Sequence, residues 1–138
     1  ATGRAPYTNW IGRIQEQDRK IVAEALRTVG METFAGRSID TLSDGECQRI
    51  MIARALAQQT PIILLDEPTA FLDIPARFEL CRLLRRLAQE QQKCILFSTH
   101  DIDAALPSCD STLIIEEGVI NKVAIEQAKS VINTLFGI

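Results

Sequence analysis

Two short apolar runs, each followed by a polar cluster, constrain the fold of this sequence more than any other feature. Residues 62–65 (IILL) precede Asp66–Glu67, and residues 94–97 (CILF) precede Ser98–His100. Continuous apolar runs of this length predict strands that are buried on both faces. Residues 73–91 between them have helical spacing. Strand, helix and strand in this order predict an α/β fold with a mostly parallel sheet, whose carboxyl edge carries both polar clusters.

Helices and a hairpin are predicted around this central unit. The further predicted elements are a helix over residues 18–29, a helix over about 44–59, a short helix over 101–106, strands over 112–115 and 119–123, and a last helix over about 126–135. Asp73 and Asp101 are the predicted N-caps of the helices that they precede. Neither an internal repeat nor a low-complexity segment interrupts this order.

Composition limits the classes of function. The chain has 138 residues, of which 46% are hydrophobic and 24% charged, as in a globular domain or part of one. Its net charge is −3, so we do not expect nucleic acid as a partner. No apolar run approaches the roughly 18 residues of a membrane-spanning helix, and the four cysteines form no CxxC pair. We expect a cytosolic chain with reduced cysteines, and, because it does not begin with Met, a fragment of a longer protein.

The carboxylates that end the first strand have two interpretations. Acids placed directly after a buried strand are typical of sites where a cation or a reacting proton compensates for their desolvation. In such a site Asp66 suits Mg²⁺, and Glu67, which reaches further, suits the polarisation of a water molecule. The alternative is that both acids begin a solvated loop. His100 likewise suits either a contact to a phosphate oxygen or a purely structural role.

The start of the second helix also has two interpretations. Ser43 and Glu46 have the spacing of a capping box and Gly45 fits the first turn, so local structure alone explains the segment. The same helix N-terminus has free N–H groups beside a small residue, which is an arrangement that binds phosphate. The negative charge of Asp44 opposes an anion at this position.

Together these segments resemble the ATP-binding subunits of ABC transporters. The matching segments are the signature motif with its helix at residues 42–56 (LSDGECQRIMIARAL), the Walker B strand at 62–68 (IILLDEP), the D-loop at 69–73 (TAFLD) and the H-loop at 98–101 (STHD). This resemblance implies the C-terminal part of a P-loop NTPase domain of the ABC ATPase type. It implies a helical signature subdomain over residues 1–58 and part of a RecA-like core over residues 59–138.

The resemblance implies roles for the residues at the strand ends and in the D-loop. Asp66 resembles the acid that holds Mg²⁺ through water, and Glu67 resembles the general base that polarises the attacking water. His100 resembles the residue that contacts the γ-phosphate of ATP. Asp73 resembles the D-loop aspartate that couples the two sites of a dimer.

The signature segment implies a second subunit. Ser43 and Gly45 resemble the residues that contact the γ-phosphate of an ATP held by the other subunit of a head-to-tail homodimer, and Glu46 belongs to the same motif. Asp44 stands where the commonest form of the motif has Gly, and Glu46 stands where Gln is frequent. Both variants fit the family's looser pattern.

One part of the family's pattern is missing from these residues. None of the seven glycines is followed by Lys, so there is no Gly-x4-Gly-Lys-Ser/Thr P-loop and no strand to carry it. The backbone N–H groups and the lysine of that loop hold the β- and γ-phosphates in this class of enzyme. We therefore expect that the chain alone does not hydrolyse ATP. Walker A and Q-loop residues are not assignable in it.

The first segment suggests a subfamily. Residues 3–13 (GRAPYTNWIGR) and 24–31 (EALRTVGM) resemble importers of iron-siderophore, haem or cobalamin type, which implies permease subunits as partners and a location on the inner face of the membrane. Tyr7 and Trp10 suit interface anchors, and Trp10 equally suits a cover for the neighbouring helix. Two alternatives remain: a soluble ABC ATPase, and a non-hydrolysing module that supplies Ser43 and Gly45 to a partner's ATP.

Overall fold

The computed structural model describes residues 1–7 and 14–137, except for the side chain of Phe136. The helices are α1 (Glu16–Thr28), α2 (Asp44–Leu56), α3 (Ile74–Glu90), α4 (Ile102–Ala105) and α5 (Ile125–Phe136), and the strands are β1 (Ile62–Leu65), β2 (Cys94–Phe97), β3 (Ser111–Glu116) and β4 (Val119–Ala124). Short 3₁₀ turns cover Thr2–Tyr7, Glu32–Phe34, Ile39–Thr41 and Leu106–Ser108. The predicted elements are present, and their bounds differ by a few residues at most.

The strands form two small sheets. β1 and β2 are parallel, in a register that pairs Ile62 with Cys94 and Leu65 with Phe97. β3 and β4 form a separate antiparallel hairpin. The α/β class is therefore confirmed and the parallel pairing is confirmed for β1 and β2, whereas the later strands do not extend that sheet within the described residues.

The prediction that β1 is buried on both faces was wrong. Ile63 is buried, but Ile62 is 55% exposed and Leu64 is 71% exposed. Successive side chains of a strand point to opposite faces, and α3 packs on one face of the β1–β2 sheet. Across the described ranges no element covers the other face, which leaves alternate apolar side chains in contact with solvent.

The core lies between α1, α2, α3 and the covered face of β1. Its most buried side chains come from all three helices: Val29, which directly follows α1, Ile52 on α2, and Leu84 and Leu87 on α3. Each such aliphatic side chain contributes about 1.5–3 kcal/mol on burial. This packing fixes α2 and α3 relative to the β1–β2 unit, and their N-termini carry Ser43 and Asp73.

An ion pair anchors the N-terminal turn to the helices. Arg4 Nε donates to Asp18 Oδ1 at 2.8 Å, both side chains are nearly fully buried, and Arg4 Nη1 donates to Gln59 Oε1 at 3.0 Å. The Arg4 guanidinium lies 4.0 Å from the centre of the Tyr7 ring. The hydrogen bond from Arg4, with a second from the Gln15 N–H, holds the pKa of the Asp18 carboxyl below its ordinary value. The turn therefore packs against α1 and the end of α2.

Of the two aromatic residues in the first segment, Tyr7 lies within the described residues and Trp10 does not. Tyr7 is half exposed, and its hydroxyl donates to the carbonyl oxygen of Gln58 at 2.9 Å. Its contacts with Gln58 and Arg4 give it a role in packing within this chain. Trp10 lies outside the described residues. None of the helices in the described ranges has both the length and the hydrophobicity that a membrane crossing requires.

Gly3 provides a test of this packing. A Cβ at Gly3 would lie 2.3 Å from the carbonyl oxygen of Arg54, a backbone atom that cannot rotate away. We expect Gly3→Ala to lower the free energy of unfolding by about 1–3 kcal/mol in urea unfolding. Gly36→Ala is the matched control, because no atom lies within 4 Å of its added Cβ. Equal stability of the two variants would contradict the packing of the turn on α2.

Candidate functional site

The ends of β1 and β2 are joined by Ser98. The Ser98 N–H donates to the carbonyl oxygen of Leu65 at 3.0 Å, and its hydroxyl donates to Asp66 Oδ1 at 2.6 Å. The same hydroxyl oxygen accepts the Glu67 N–H at 2.9 Å. One side chain therefore fixes both the carboxylate of Asp66 and the backbone of Glu67. Ser98 was not among the residues predicted for the site, although the parallel register already placed the residue after Phe97 beside Asp66.

Glu67 and His100 meet at this edge of the sheet. His100 Nδ1 lies 3.0 Å from Glu67 Oε2, and the imidazole is largely exposed. Glu67 Oε2 is shielded from solvent and accepts no hydrogen bond from any described residue. Glu67 also has a φ of +43°, which is uncommon for a residue other than Gly and is a form of strain that concentrates at functional sites. The result is a Glu67 carboxylate that faces the His100 imidazole at the carboxyl edge of the sheet.

Asp66 is the candidate metal ligand. Its side chain is exposed, and the described residues contain no group of three or more His, Cys, Asp or Glu side chains that could hold a metal ion. Mg²⁺ is commonly bound by one or two carboxylates together with water and substrate phosphates. A single exposed carboxylate of fixed orientation fits such a site when a nucleotide supplies the other ligands.

The start of α2 is a complete capping box. Ser43 Oγ accepts the Glu46 N–H at 3.4 Å, and Glu46 Oε2 accepts the Ser43 N–H at 2.8 Å. The Ser43 hydroxyl also donates to Glu46 Oε2 at 2.9 Å. The two bonds to this carboxylate, from the Ser43 backbone N–H first and then the hydroxyl, hold the pKa of Glu46 below its ordinary value. The Glu46 carboxylate is thus bonded to Ser43. The N–H groups of Asp44 and Gly45 are among those that a helix leaves without an intrahelical acceptor.

Gly45 has no steric reason within this chain to be glycine. An added Cβ would meet only Leu72 Cδ2, at the ordinary contact distance of 3.9 Å, and its φ is not in the left-handed region. Ser43, Gly45, Glu46 and Leu72 line an open cavity of about 190 Å³. Because glycine normally costs stability in a helix, its presence here is consistent with close approach of another molecule.

The two aspartates predicted as N-caps differ. Asp73 Oδ1 accepts the Ala76 N–H at 2.9 Å and caps α3, as predicted. The Asp101 side chain makes no capping bond to α4, so that prediction was wrong. Its Oδ1 instead accepts Arg77 Nη1 at 2.6 Å. The charged guanidinium is a stronger partner than a backbone N–H at the end of a four-residue helix.

The predicted site residues fall into two groups. Asp66, Glu67 and His100 form one cluster at the carboxyl edge of β1 and β2. Ser43, Gly45 and Glu46 form a second group at the start of α2. Within the described ranges no hydrogen bond or ion pair joins the two groups directly, and the D-loop segment, residues 69–73, runs between them.

The fold and the site together match one family. Residues 3–70 match the family model described as ABC transporter. Over 120 residues the chain is 41% identical to the iron(3+)-hydroxamate import ATP-binding protein FhuC of Bacillus subtilis, covering 87% of this chain and 45% of that protein. The chain belongs to the ATP-binding proteins of ABC transporters.

Solved structures agree with this assignment. The structure of an ABC transporter described as of metal-chelate type, in an inward-facing conformation, superposes with a TM-score of 0.90 at 29% identity, over 99% of this chain and 55% of that one. A dimeric, post-hydrolysis state of the ATP-binding cassette MJ0796 with ADP and Pi gives a TM-score of 0.66 at 33% identity, over 84% of this chain and 51% of that one. The chain is part of an ABC ATPase domain. It spans less than half the length of curated relatives that it matches, FhuC among them.

The capping box predicts a pH-dependent stability. The pKa of Glu46 is lower in the folded state, so its contribution is present above the unfolded value of about 4.3 and is lost as the pH falls through the folded value. We expect Glu46→Gln to be less stable than wild type at pH 7 and the difference to shrink below about pH 4. Glu24→Gln, at an exposed position of α1, is the control. Urea unfolding at both pH values checks this, and a difference that does not change with pH would contradict it.

Proposed function

We propose that the protein containing this chain is the ATP-hydrolysing subunit of an importer that takes up an iron chelate, haem or cobalamin. The observation that carries the proposal is the pairing of Glu67 with His100 at the carboxyl edge of β1 and β2, where Oε2 and Nδ1 lie 3.0 Å apart. An acceptor so placed suits the removal of a proton from an attacking water. The proposed class of substrate is supported by the substrates named for FhuC, an iron(3+)-hydroxamate, and for the metal-chelate transporter.

Each residue of the cluster has a part in this reaction. Mg²⁺, when bound through Asp66 and water, would neutralise charge on the phosphates. Glu67 Oε2 takes the proton of the water that attacks the γ-phosphorus, and the bond to the ADP oxygen breaks. His100 donates to a γ-phosphate oxygen and orients it toward that water. Ser98 holds Asp66 and Glu67 in place, so that little reorganisation is needed during the reaction.

The second group acts on a different nucleotide. Ser43 and the free N–H of Gly45 contact the γ-phosphate of an ATP held by a second copy, in a head-to-tail homodimer. The separation of this group from Glu67 supports such a division, and the MJ0796 cassette is dimeric. Phe71 adds an apolar contact for the second copy. Its side chain is 89% exposed with a φ of +65°, beside a groove lined by Met51 of α2.

The P-loop groups that hold the β- and γ-phosphates of the nucleotide come from residues outside these 138. No P-loop sequence is present among them, so we propose that this chain alone does not turn over ATP. Permease subunits are the proposed membrane partners, and they hold the ATP-binding subunit at the inner face of the membrane. The superposition on a transporter structure favours this assembly over a soluble ABC ATPase.

Glu67→Gln in the full-length protein tests the proposed chemistry. An amide cannot accept the proton from water, so we expect the rate of Mg-ATP turnover to fall by about 100-fold or more while nucleotide binding is retained. Glu117→Gln is the matched control, because Glu117 is also a glutamate with positive φ, +48°, but lies in the hairpin turn. Equal turnover of the two variants would contradict the role of Glu67. Turnover by the 138 residues alone would refute their proposed inactivity.

A further inference from the structure

Arg77 bonds two segments of the site at once. It lies in the first turns of α3, where its Nε donates to the carbonyl oxygen of Leu72 at 2.7 Å and its Nη1 donates to Asp101 Oδ1 at 2.6 Å. Leu72 precedes Asp73 in the D-loop segment, and Asp101 follows His100. These two short charge-assisted bonds come from one planar guanidinium and so fix the two segments at a set spacing.

The other side of the same connection is made by hydroxyl groups. The fully buried Thr69 lies with its Oγ1 3.2 Å from Thr99 Oγ1, and Thr99 Oγ1 accepts the Asp101 N–H at 3.0 Å. The D-loop segment is thus tied to the segment of His100 at both of its ends, by Thr69 near the start and Leu72 near the finish. Together with the two bonds of Arg77, these bonds form one hydrogen-bonded network at the edge of the sheet.

Arg77 is the counter-charge of Asp101. Its side chain is 16% exposed, and Oδ2 is shielded and accepts no hydrogen bond from the described residues. Removing the guanidinium would leave a largely buried carboxylate without a counter-charge, and the residue would have to move toward solvent. Because His100 is the preceding residue, such a movement would displace the imidazole from Glu67.

Leu72 connects this hydrogen-bonded network to the signature group as well. Its side chain is buried, and its Cδ2 is the nearest atom to the position that a Cβ on Gly45 would occupy. The carbonyl oxygen of the same residue is held by Arg77. The start of α2, the D-loop segment and the segment of His100 therefore share one set of contacts centred on Arg77.

We propose that Arg77 and Asp101 are positioning residues that hold His100 in register with the D-loop segment, and so couple the Glu67 cluster to the signature group. We call Arg77 with its two acceptors, Leu72 O and Asp101 Oδ1, the Arg77 clamp. This inference rests on the proposed ATP hydrolysis. Both bonds of the clamp go to groups of this chain, so we expect its loss to lower the rate of the chemical step and to leave nucleotide affinity unchanged.

An ion pair outside the site supplies a control. Arg27 Nε, on α1, donates to Glu32 Oε2 in the following 3₁₀ turn at 3.1 Å. Neither residue belongs to the signature, D-loop or H-loop segments. A merely structural ion pair would behave as this one does.

The test uses Arg77→Lys, Asp101→Asn, their double variant and, as the control, Arg27→Lys in the full-length protein. Lysine keeps the charge of Arg77 but cannot make both directional bonds. We expect Arg77→Lys to lower kcat for Mg-ATP about 10–100-fold, the range for a misplaced catalytic group, with KM within about twofold of wild type. The double variant should be no slower than the slower single variant, because both remove the same connection.

A second measurement reports position without activity. The imidazole resonance of His100 is assigned as the NMR signal lost in His100→Gln, and we expect it to shift in Arg77→Lys but not in Arg27→Lys. An unchanged kcat, or a raised KM at unchanged kcat, in Arg77→Lys would overturn the clamp, as would an unshifted His100 signal. A wild-type protein that binds Mg-ATP without turning it over would refute the proposed function, and the His100 signal would then decide the clamp alone.

Discussion

The parallel pairing of β1 with β2 is the constraint on which the rest of this structure depends. Its register sets Leu65 opposite Phe97, so the residues that follow both strands leave the sheet at the same edge. The connection through α3 makes the parallel arrangement possible, and the buried leucines of that helix hold it on one face of the sheet. Asp66, Glu67, Ser98 and His100 meet because of this register. A shift of one strand by one residue would turn that strand's side chains to the other face and separate the two pairs.

The same edge shows how the fold stabilises an unfavourable conformation. Glu67 has a positive φ, a form of strain that costs on the order of 1–3 kcal/mol, and the Ser98 hydroxyl that accepts its N–H is itself bonded to Asp66. Such a turn directs the Glu67 carboxylate at His100, whose Nδ1 lies 3.0 Å from Oε2. The stability that supports it comes from the helices on the covered face, which is also where the N-terminal turn is anchored through Arg4 and Asp18.

Features that depend on neighbours in sequence were predictable, and those that depend on distant partners were not. The capping box of Ser43 and Glu46 and the Asp73 cap need only residues three positions apart, so their patterns identified them. The side chain of Asp101 was assigned to a cap, because its actual partner, Arg77, lies 24 positions earlier in the chain. An apolar run such as Ile62–Leu65 shows that the strand is hydrophobic, but it does not show which of its faces a neighbouring element covers. The motif resemblance supplied the family, and the comparisons confirmed it, whereas the bridging role of Ser98 required coordinates.

The central claim is that this chain contributes to two different ATP sites, with Glu67 serving one and the signature group serving the other. Mixing two inactive full-length variants, Glu67→Gln and Gly45→Asp, tests it most directly. Gly45→Asp places a carboxylate where a phosphate would bind, at a helix N-terminus that tolerates negative charge. If the groups act across a head-to-tail dimer, mixed dimers keep one intact site, and an equal mixture recovers about a quarter of wild-type turnover. If both groups act on the same subunit's ATP, the mixture stays as inactive as its components, which would contradict the account.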